Sequence, residues 1–183
     1  MLPWWAGRFV RGQRGFTLVE TTIVVGILGL VGTIAVANLI AWGPQRRIRA
    51  TLTELHGGMN LARVAAMSRN STVTVRIRGA TETSGGGGVT VTGTSAAPIT
   101  VDVTDALGTV LPRQVMPADI TQAVVSPGNA GVAQVQFNSF GLRVGVAGTT
   151  NQLITLTNSQ QTTYSVVITP QGRPSWCAKA TCP

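Results

Sequence analysis

The stretch Arg14-Gly15-Phe16-Thr17-Leu18-Val19-Glu20, with the apolar run that follows it, decides the fold of this chain. Residues 16–42 number 27, and they contain no charged side chain after Glu20. A helix needs about 20 predominantly apolar residues to cross the hydrocarbon core of a bilayer. The run is long enough to span a membrane, and we interpret it as the transmembrane half of a long helix.

Glu20 is the unusual residue of this run. A charged side chain at the centre of a membrane helix costs about 2.5 to 3.5 kcal/mol on insertion scales, and such residues usually have a partner. The run itself offers no cation. Cleavage after Gly15 would give Phe16 a positively charged amino group about one helical turn before Glu20. We predict that Glu20 pairs with such a terminus, in its own chain or in a neighbouring copy.

A basic leader ending in Gly15, then Phe16, Glu20 and an apolar run, resembles the class III signal of type IV pilins and type II secretion pseudopilins. The resemblance implies that the prepilin peptidase, a membrane aspartic peptidase, cuts between Gly15 and Phe16 and N-methylates Phe16. It also implies that Glu20 brings the subunit into register in a filament. The competing interpretation is an ordinary signal anchor with a stray glutamate.

Composition favours one membrane segment and one small domain in a chain of 183 residues and 19.0 kDa. Charged residues make up only 11% of the chain, which suits an extracytoplasmic β domain better than a cytosolic helical enzyme. The formal net charge is +8. Removal of the leader with its three arginines leaves eleven basic and six acidic side chains, an excess that permits binding to polyanions without requiring it.

Cys177 and Cys182 are the two cysteines, and their close spacing in a secreted context favours a disulfide. By the loop-entropy estimate such a small ring stabilises the fold by only about 2 kcal/mol, so its role would be to fix the shape of the tail. The alternative, a metal pair, lacks further ligands because the only histidine, His56, is in the helical region. We therefore predict no metal and no cofactor.

We divide the chain into a leader (residues 1–15), a transmembrane half-helix (16–42), an amphipathic half-helix (43–70) and a β-rich head (71–183). Three arginines lie on each side of the apolar run, so charge alone does not orient it. The cleavage signal and the cysteines place the N-terminus in the cytoplasm. The expected location is a single pass through the inner membrane with the head in the periplasm, or the tip of a pilus or pseudopilus.

The amphipathic half of the helix has one apolar face, whose residues recur at gaps of four and three and should pack on a sheet. These residues are Ile48, Leu52, Leu55, Met59, Ala62 and Ala66. Gly43-Pro44 predicts a bend or a break at the membrane surface, because proline removes a backbone hydrogen bond. Gly57-Gly58 is a second candidate interruption.

The pattern changes to period two at residues 73–78, which predicts a strand with a basic outer face. Residues 80–97, with four consecutive glycines, are interpreted as a flexible hairpin tip. Turn residues separate several of the further predicted strands. Those strands are residues 99–103, 110–115, 120–125, 132–137, 153–157 and 164–169.

Three further motifs extend the resemblance over nearly the whole chain: residues 61–70 leading into a strand, 137–141 and 168–173. In this order they resemble the H-type pseudopilin and T/U-type minor pilin family (GspH/FimT-like). The resemblance implies an α+β fold, pilin-like, in which a long N-terminal helix packs on two small antiparallel sheets. It also implies a minor subunit that helps initiate or cap a pilus or a type II secretion pseudopilus, with other pilin-like subunits and the inner-membrane assembly platform as partners.

No catalytic constellation is visible, because the chain has one histidine, two cysteines predicted to be bridged and scattered acids. The alternative function is a DNA-binding minor pilin at a pilus tip. Some T-type minor pilins take up DNA through a C-terminal Gly-Arg-x-Arg element, and here Gly172-Arg173-Pro174-Ser175 lacks the second arginine. Trp176 could stack a base while Arg173 and Lys179 contact phosphates. The competing interpretation is that the charges are solvated and that Trp176 packs on the disulfide.

Overall fold

A computed structural model describes residues 16–183 except 148, 181 and 183, with only the backbone for 34 and 36–41. The predicted leader, including Gly15, lies outside the described residues. The described part contains one helix, α1 (Leu18–Ser68), followed by strands. The strands are β1 (Val73–Arg78), β2 (Thr81–Gly85), β3 (Gly88–Thr92), β4 (Thr100–Asp105), β5 (Gly108–Val115), β6 (Ile120–Ser126), β7 (Gln134–Phe137), β8 (Arg143–Val144), β9 (Gln152–Asn158), β10 (Thr163–Ile168) and β11 (Pro174–Cys177).

The chain forms two compact units, one ending at Ala41 and the other comprising Trp42–Pro183. In the first unit the described apolar side chains of α1, such as Leu18, Ile23 and Leu28, are exposed. The hydroxyls of Thr21, Thr22 and Thr33 donate to the carbonyl oxygens three residues earlier, at 2.8 Å each. These bonds satisfy the hydroxyls within the helix and leave its surface apolar. Among the residues whose side chains the structure describes, which leave out 34 and 36–41 of α1, no helical stretch is long and apolar enough to be a membrane span.

The break predicted at Gly43-Pro44 is absent, because α1 continues through Pro44. Proline removes one hydrogen bond from the helix interior. The bonds on either side are enough to keep a helix of 51 residues continuous here. Gly57-Gly58 does not interrupt it either, since both glycines lie within the same helical span.

The predicted apolar face of the second half of α1 is confirmed as the centre of the fold. All six of its residues, from Ile48 to Ala66, are at most 1% exposed. They belong to one hydrophobic core together with inward-facing residues of both sheets, such as Val75, Ile154 and Val166. Burial of one large aliphatic side chain contributes about 1.5 to 3 kcal/mol, so this face is a main source of the head's stability.

The head contains two antiparallel sheets, as the family resemblance implies. The first has the strand order β5-β4-β1-β7-β8 and the second has the order β11-β10-β9-β6-β3-β2. In β1 the residues Val73, Val75 and Ile77 face the core, while Arg76 and Arg78 face outward. The alternation predicted for this strand is therefore confirmed.

Residues 80–97 are more regular than the hairpin tip we predicted. Two paired strands, β2 and β3, are joined by Gly86 and Gly87, which have φ angles of 59° and 79°. Positive φ at both central residues is typical of a type I′ turn, which glycine adopts without steric cost. The polar, fully exposed strand β2 lacks the alternation that would have predicted it. Strands β8 and β11 were also missed, because β8 has only two residues and β11 does not alternate between buried and exposed residues.

The end of α1 is tied to the turn between β4 and β5 by Asp105. One carboxylate oxygen accepts from the backbone N–H groups of Leu107 and Gly108 at 2.7 and 3.0 Å. The other accepts from Arg69 Nη1 at 2.9 Å. The hydrogen bond from Arg69, reinforced by these N–H groups, holds the pKa of Asp105 below its ordinary value of 3.8. The charged form of Asp105 is therefore the one that joins helix and hairpin.

Candidate functional sites

The N-terminal end of α1 is capped by Thr17, which directly precedes the first helical residue. Its hydroxyl oxygen accepts the backbone N–H of Glu20 at 3.2 Å. The sequence Thr17-Leu18-Val19-Glu20 has the spacing of a capping box, a signal that our sequence analysis did not use. The backbone of Glu20 is thus fixed in the first turn. Its side chain is exposed and takes part in no ion pair or hydrogen bond among the described residues.

Phe16, the predicted first residue of the mature chain, lies directly before this cap and is 77% exposed. Gly15, on the other side of the predicted cleavage site, lies outside the described residues. An acidic side chain in the first turn also interacts favourably with the helix dipole, by about 0.3 to 1 kcal/mol. The carboxylate of Glu20 can therefore stabilise the first turn of its own helix and remain accessible to a cation from another chain.

The three motifs of the head that support the resemblance meet at one junction. Arg63, from the helical motif, donates from Nε to the carbonyl oxygen of Gly141 at 2.9 Å. The backbone N–H of Arg143 donates to the carbonyl oxygen of Pro170 at 3.1 Å. The side chain of Arg63 therefore ties α1 to the turn before β8, and a main-chain hydrogen bond joins β8 to the turn before β11.

Glycines are required at this junction because the two turns touch backbone to backbone. Gly141 and Gly172 have φ angles of 71° and 72°, in the left-handed region. A Cβ on Gly172 would overlap the carbonyl oxygen of Gly141. A Cβ on Gly141 would lie 2.9 Å from Met67 Sδ and 3.1 Å from Arg63 Nε. The sequence marked these glycines only as members of motifs, without showing that they contact each other.

The comparison of the chain with family models identifies its family. The model described as type II transport protein GspH matches residues 51–172, about two thirds of the chain. The chain belongs to the GspH family. The prokaryotic N-terminal methylation motif also matches, at residues 10–36, across the predicted cleavage site. GspH-family proteins are minor pilins and pseudopilins, structural subunits that interact with other pilin subunits, and the methylation motif implies processing by the prepilin peptidase.

Two crystal structures of the type IV minor pilin FimU from Pseudomonas aeruginosa (strain PAO1) are similar to the GspH-family chain. The structure in space group P65 has 13% identity and a TM-score of 0.42, and the match covers 74% of this chain and 96% of that one. The structure in space group P21 has 12% identity and a TM-score of 0.44, with coverage of 76% and 94%. No curated protein matches the chain.

The predicted disulfide between Cys177 and Cys182 is present, with the two Cα atoms 5.9 Å apart. The ring that it closes is held on the second sheet. The carbonyl oxygen of Ala180 accepts the hydroxyl of Ser165 at 2.9 Å and that of Thr155 at 3.3 Å. Ser165 is fully buried. The tail of this GspH-family head thus has a defined position over β9 and β10.

The three residues considered for nucleic-acid contact lie on or beside this tail. Trp176, on the edge strand β11, is 46% exposed, so it is neither free on all sides nor buried against the disulfide. Arg173 and Lys179 are exposed, and neither forms an ion pair among the described residues.

The four other arginines of the head are engaged elsewhere. Arg78 lies 3.4 Å and Arg113 2.6 Å from the carboxylate of Asp102, and Arg76 lies 3.6 Å from that of Glu82. Arg143 is only 7% exposed, and its Nη2 donates to the carbonyl oxygen of Thr150. Burial lowers the pKa of Arg143. Sequence could not show this pairing, because Asp102 and Arg113 come from different strands.

Proposed function

We propose that the chain is a minor type IV pilin or a pseudopilin, a non-catalytic structural subunit that helps initiate or cap a pilus or a type II secretion pseudopilus. The observation that carries this proposal is the start of α1. There the backbone of Glu20 is fixed by the Thr17 cap, its carboxylate has no partner among the described residues, and an exposed apolar helix surface follows. Such an arrangement suits pairing with the amino terminus of a neighbouring subunit.

Residues 16–42 anchor the subunit in the inner membrane as a single pass, and the head formed by residues 71–183 lies in the periplasm. The assembly platform of the inner membrane takes up the subunit after residues 1–15 are removed. Membership of the GspH family and the match to the methylation motif support this proposal. The disulfide supports an oxidising compartment for the head, because such bonds persist there.

The N-terminus of the mature protein tests this proposal directly. We expect mass spectrometry of the protein isolated from its host to give a chain that starts at Phe16 and carries one methyl group on its amino nitrogen. In cells that lack the prepilin peptidase the chain should keep residues 1–15. An intact leader in the normal host would instead support an ordinary signal anchor and would overturn the proposal.

A second candidate function is binding of nucleic acid by the tail, favoured by the half-exposed Trp176 between the exposed Arg173 and Lys179. Two phosphate contacts predict that log K falls with log salt at a slope of about −1.8 on duplex DNA. The test is a titration of the mature full-length protein in detergent with DNA at several salt concentrations. Arg47→Gln, an exposed arginine far from the tail in sequence, is the charge-matched control for Arg173→Gln. Absence of binding at low salt, or equal loss in both variants, would exclude this site.

A further inference from the structure

A hollow of about 160 Å³ lies on the first turns of the second unit, at the end of the apolar run. It is lined by Trp42, Gln45, Arg46 and Arg49. Trp42 is 56% exposed, and both arginines are exposed. The lining therefore combines an indole ring, an amide and two guanidinium groups on one exposed surface of α1.

The positive charge of this hollow is not neutralised within the part of the chain that the structure describes. None of the ion pairs found there involves Arg46, Arg47 or Arg49. The next acidic residue along α1 is Glu54, which lies five residues beyond Arg49, or about 7.5 Å along the helix axis. Two unpaired guanidinium groups around a hollow favour an anion as its occupant.

Arg49 is held in position by the head. Its Nε donates to the hydroxyl oxygen of Tyr164 at 2.7 Å, and its guanidinium carbon lies 5.7 Å from the centre of the Tyr164 ring. Tyr164 belongs to β10 and is only 2% exposed. The two terminal nitrogens of Arg49 take part in no hydrogen bond among the described residues. Arg49 is thus oriented in advance, and its free N–H groups can bind two oxygens of one phosphate.

We propose that this hollow binds the phosphate headgroup of an anionic phospholipid. The inference rests on the proposed function, because membrane anchoring of residues 16–42 places Trp42 at the bilayer surface, where tryptophan is enriched. Arg46 then lies about 6 Å further along the helix axis. The headgroup layer on each side of the hydrocarbon core is about 5 to 7 Å thick, so Arg46 lies at the depth of the lipid phosphates. A soluble phosphate would not need the indole at the apolar end of the site.

The test measures lipid adducts of the mature full-length protein in detergent by native mass spectrometry. Phosphatidylglycerol, phosphatidylcholine and inorganic phosphate are titrated separately. We expect phosphatidylglycerol to bind more tightly than the other two. Arg46→Gln should weaken its binding at least about tenfold, the loss expected for one hydrogen bond from a charged group to the phosphate. Arg47→Gln, which removes the same charge from an exposed neighbour outside the hollow, should weaken it less than about twofold, because it makes no such bond.

Tyr164→Phe provides a second variant that leaves every charge in place. It removes the hydroxyl that accepts from Arg49, so it should weaken phosphatidylglycerol binding while Arg47→Gln does not. Three outcomes would overturn the lipid site: equal affinity for phosphatidylcholine, equal affinity for inorganic phosphate, or equal losses in the Arg46 and Arg47 variants. Extraction of host membranes with carbonate distinguishes failure of the lipid site from failure of the proposed function. A chain that is released by carbonate contradicts the membrane anchor itself, whereas a retained chain with equal losses contradicts only the lipid site.

Discussion

Glu20→Ala should leave removal of the leader unchanged but reduce incorporation of the chain into pili or pseudopili at least about tenfold. The carboxylate has no partner among the described residues, and it starts a segment that we propose to lie in the membrane. An unpaired charge there costs about 2.5 to 3.5 kcal/mol, so pairing with the amino terminus of a neighbour favours assembly. Loss of only 1.4 kcal/mol of this pairing lowers the association constant tenfold. The measurement is the ratio of the protein in sheared filaments to that in membranes.

Two control variants separate pairing from other effects of Glu20. Glu20→Gln keeps the size of the side chain and should fail as alanine does, because it lacks the charge. The double variant Glu20→Ala with Val19→Glu keeps an acid in the first helical turn, where the helix dipole favours it. It moves the carboxylate around the helix, so it should also fail to assemble. Normal incorporation of either Glu20→Ala or Glu20→Gln, with the leader removed, would contradict the mechanism.

The elements that sequence predicted well are those whose signal is local and periodic. The apolar face of α1 repeats every three to four residues, and all of its members are buried as predicted. Strand β1 alternates every second residue, and its inward face is buried. In both cases the apolar pattern of the element itself predicts which of its side chains are buried and stabilise it.

The features that sequence missed are those whose own residues carry no periodic pattern or that depend on a neighbouring strand. Strand β2 has no buried residue and is held by its pairing with β3, so it lacks an amphipathic pattern. At Pro44 the helix does not break, and a break was one of the two outcomes, a bend or a break, that the local signal predicted. Among the arginines of the head, the pairing of Arg78 and Arg113 with Asp102 depends on neighbouring strands. The sequence gives the charge of these arginines, but it does not show whether they are free to bind another molecule.

The clearest case of information that only the folded chain contains is the contact between Arg63, Gly141 and Gly172. Each residue belongs to a motif that is loose by itself. Their contact explains why two of these motifs contain a glycine, because two turns that touch through main-chain atoms leave no space for side chains. The junction therefore predicts a large effect from a very small substitution.

Gly172→Ala should destabilise the head by about 2 to 5 kcal/mol. The left-handed backbone conformation costs about 1 to 2 kcal/mol with a Cβ, and overpacking against the Gly141 carbonyl oxygen adds about 1 to 3 kcal/mol. If the turn moves away to relieve the overlap, hydrogen bonds at the junction weaken instead, at about 1 kcal/mol each. A change of this size lowers Tm by about 10 °C in a domain of this length. The measurement is thermal or urea unfolding of the purified full-length protein.

Gly87→Ala is the matched control, because Gly87 has a similar φ of 79° but no atom within 4 Å of the position of an added Cβ. It incurs the conformational cost alone, so it should destabilise the protein by no more than about 2 kcal/mol. Arg63→Gln removes the hydrogen bond from a charged group to Gly141 without adding an atom to the turns, so it should destabilise the head by about 1.5 to 3 kcal/mol. A larger effect of Gly172→Ala than of Gly87→Ala follows only if the turns are in backbone contact. Equal destabilisation by the two glycine variants would mean that the contact contributes nothing, and that φ alone accounts for the glycine in this motif.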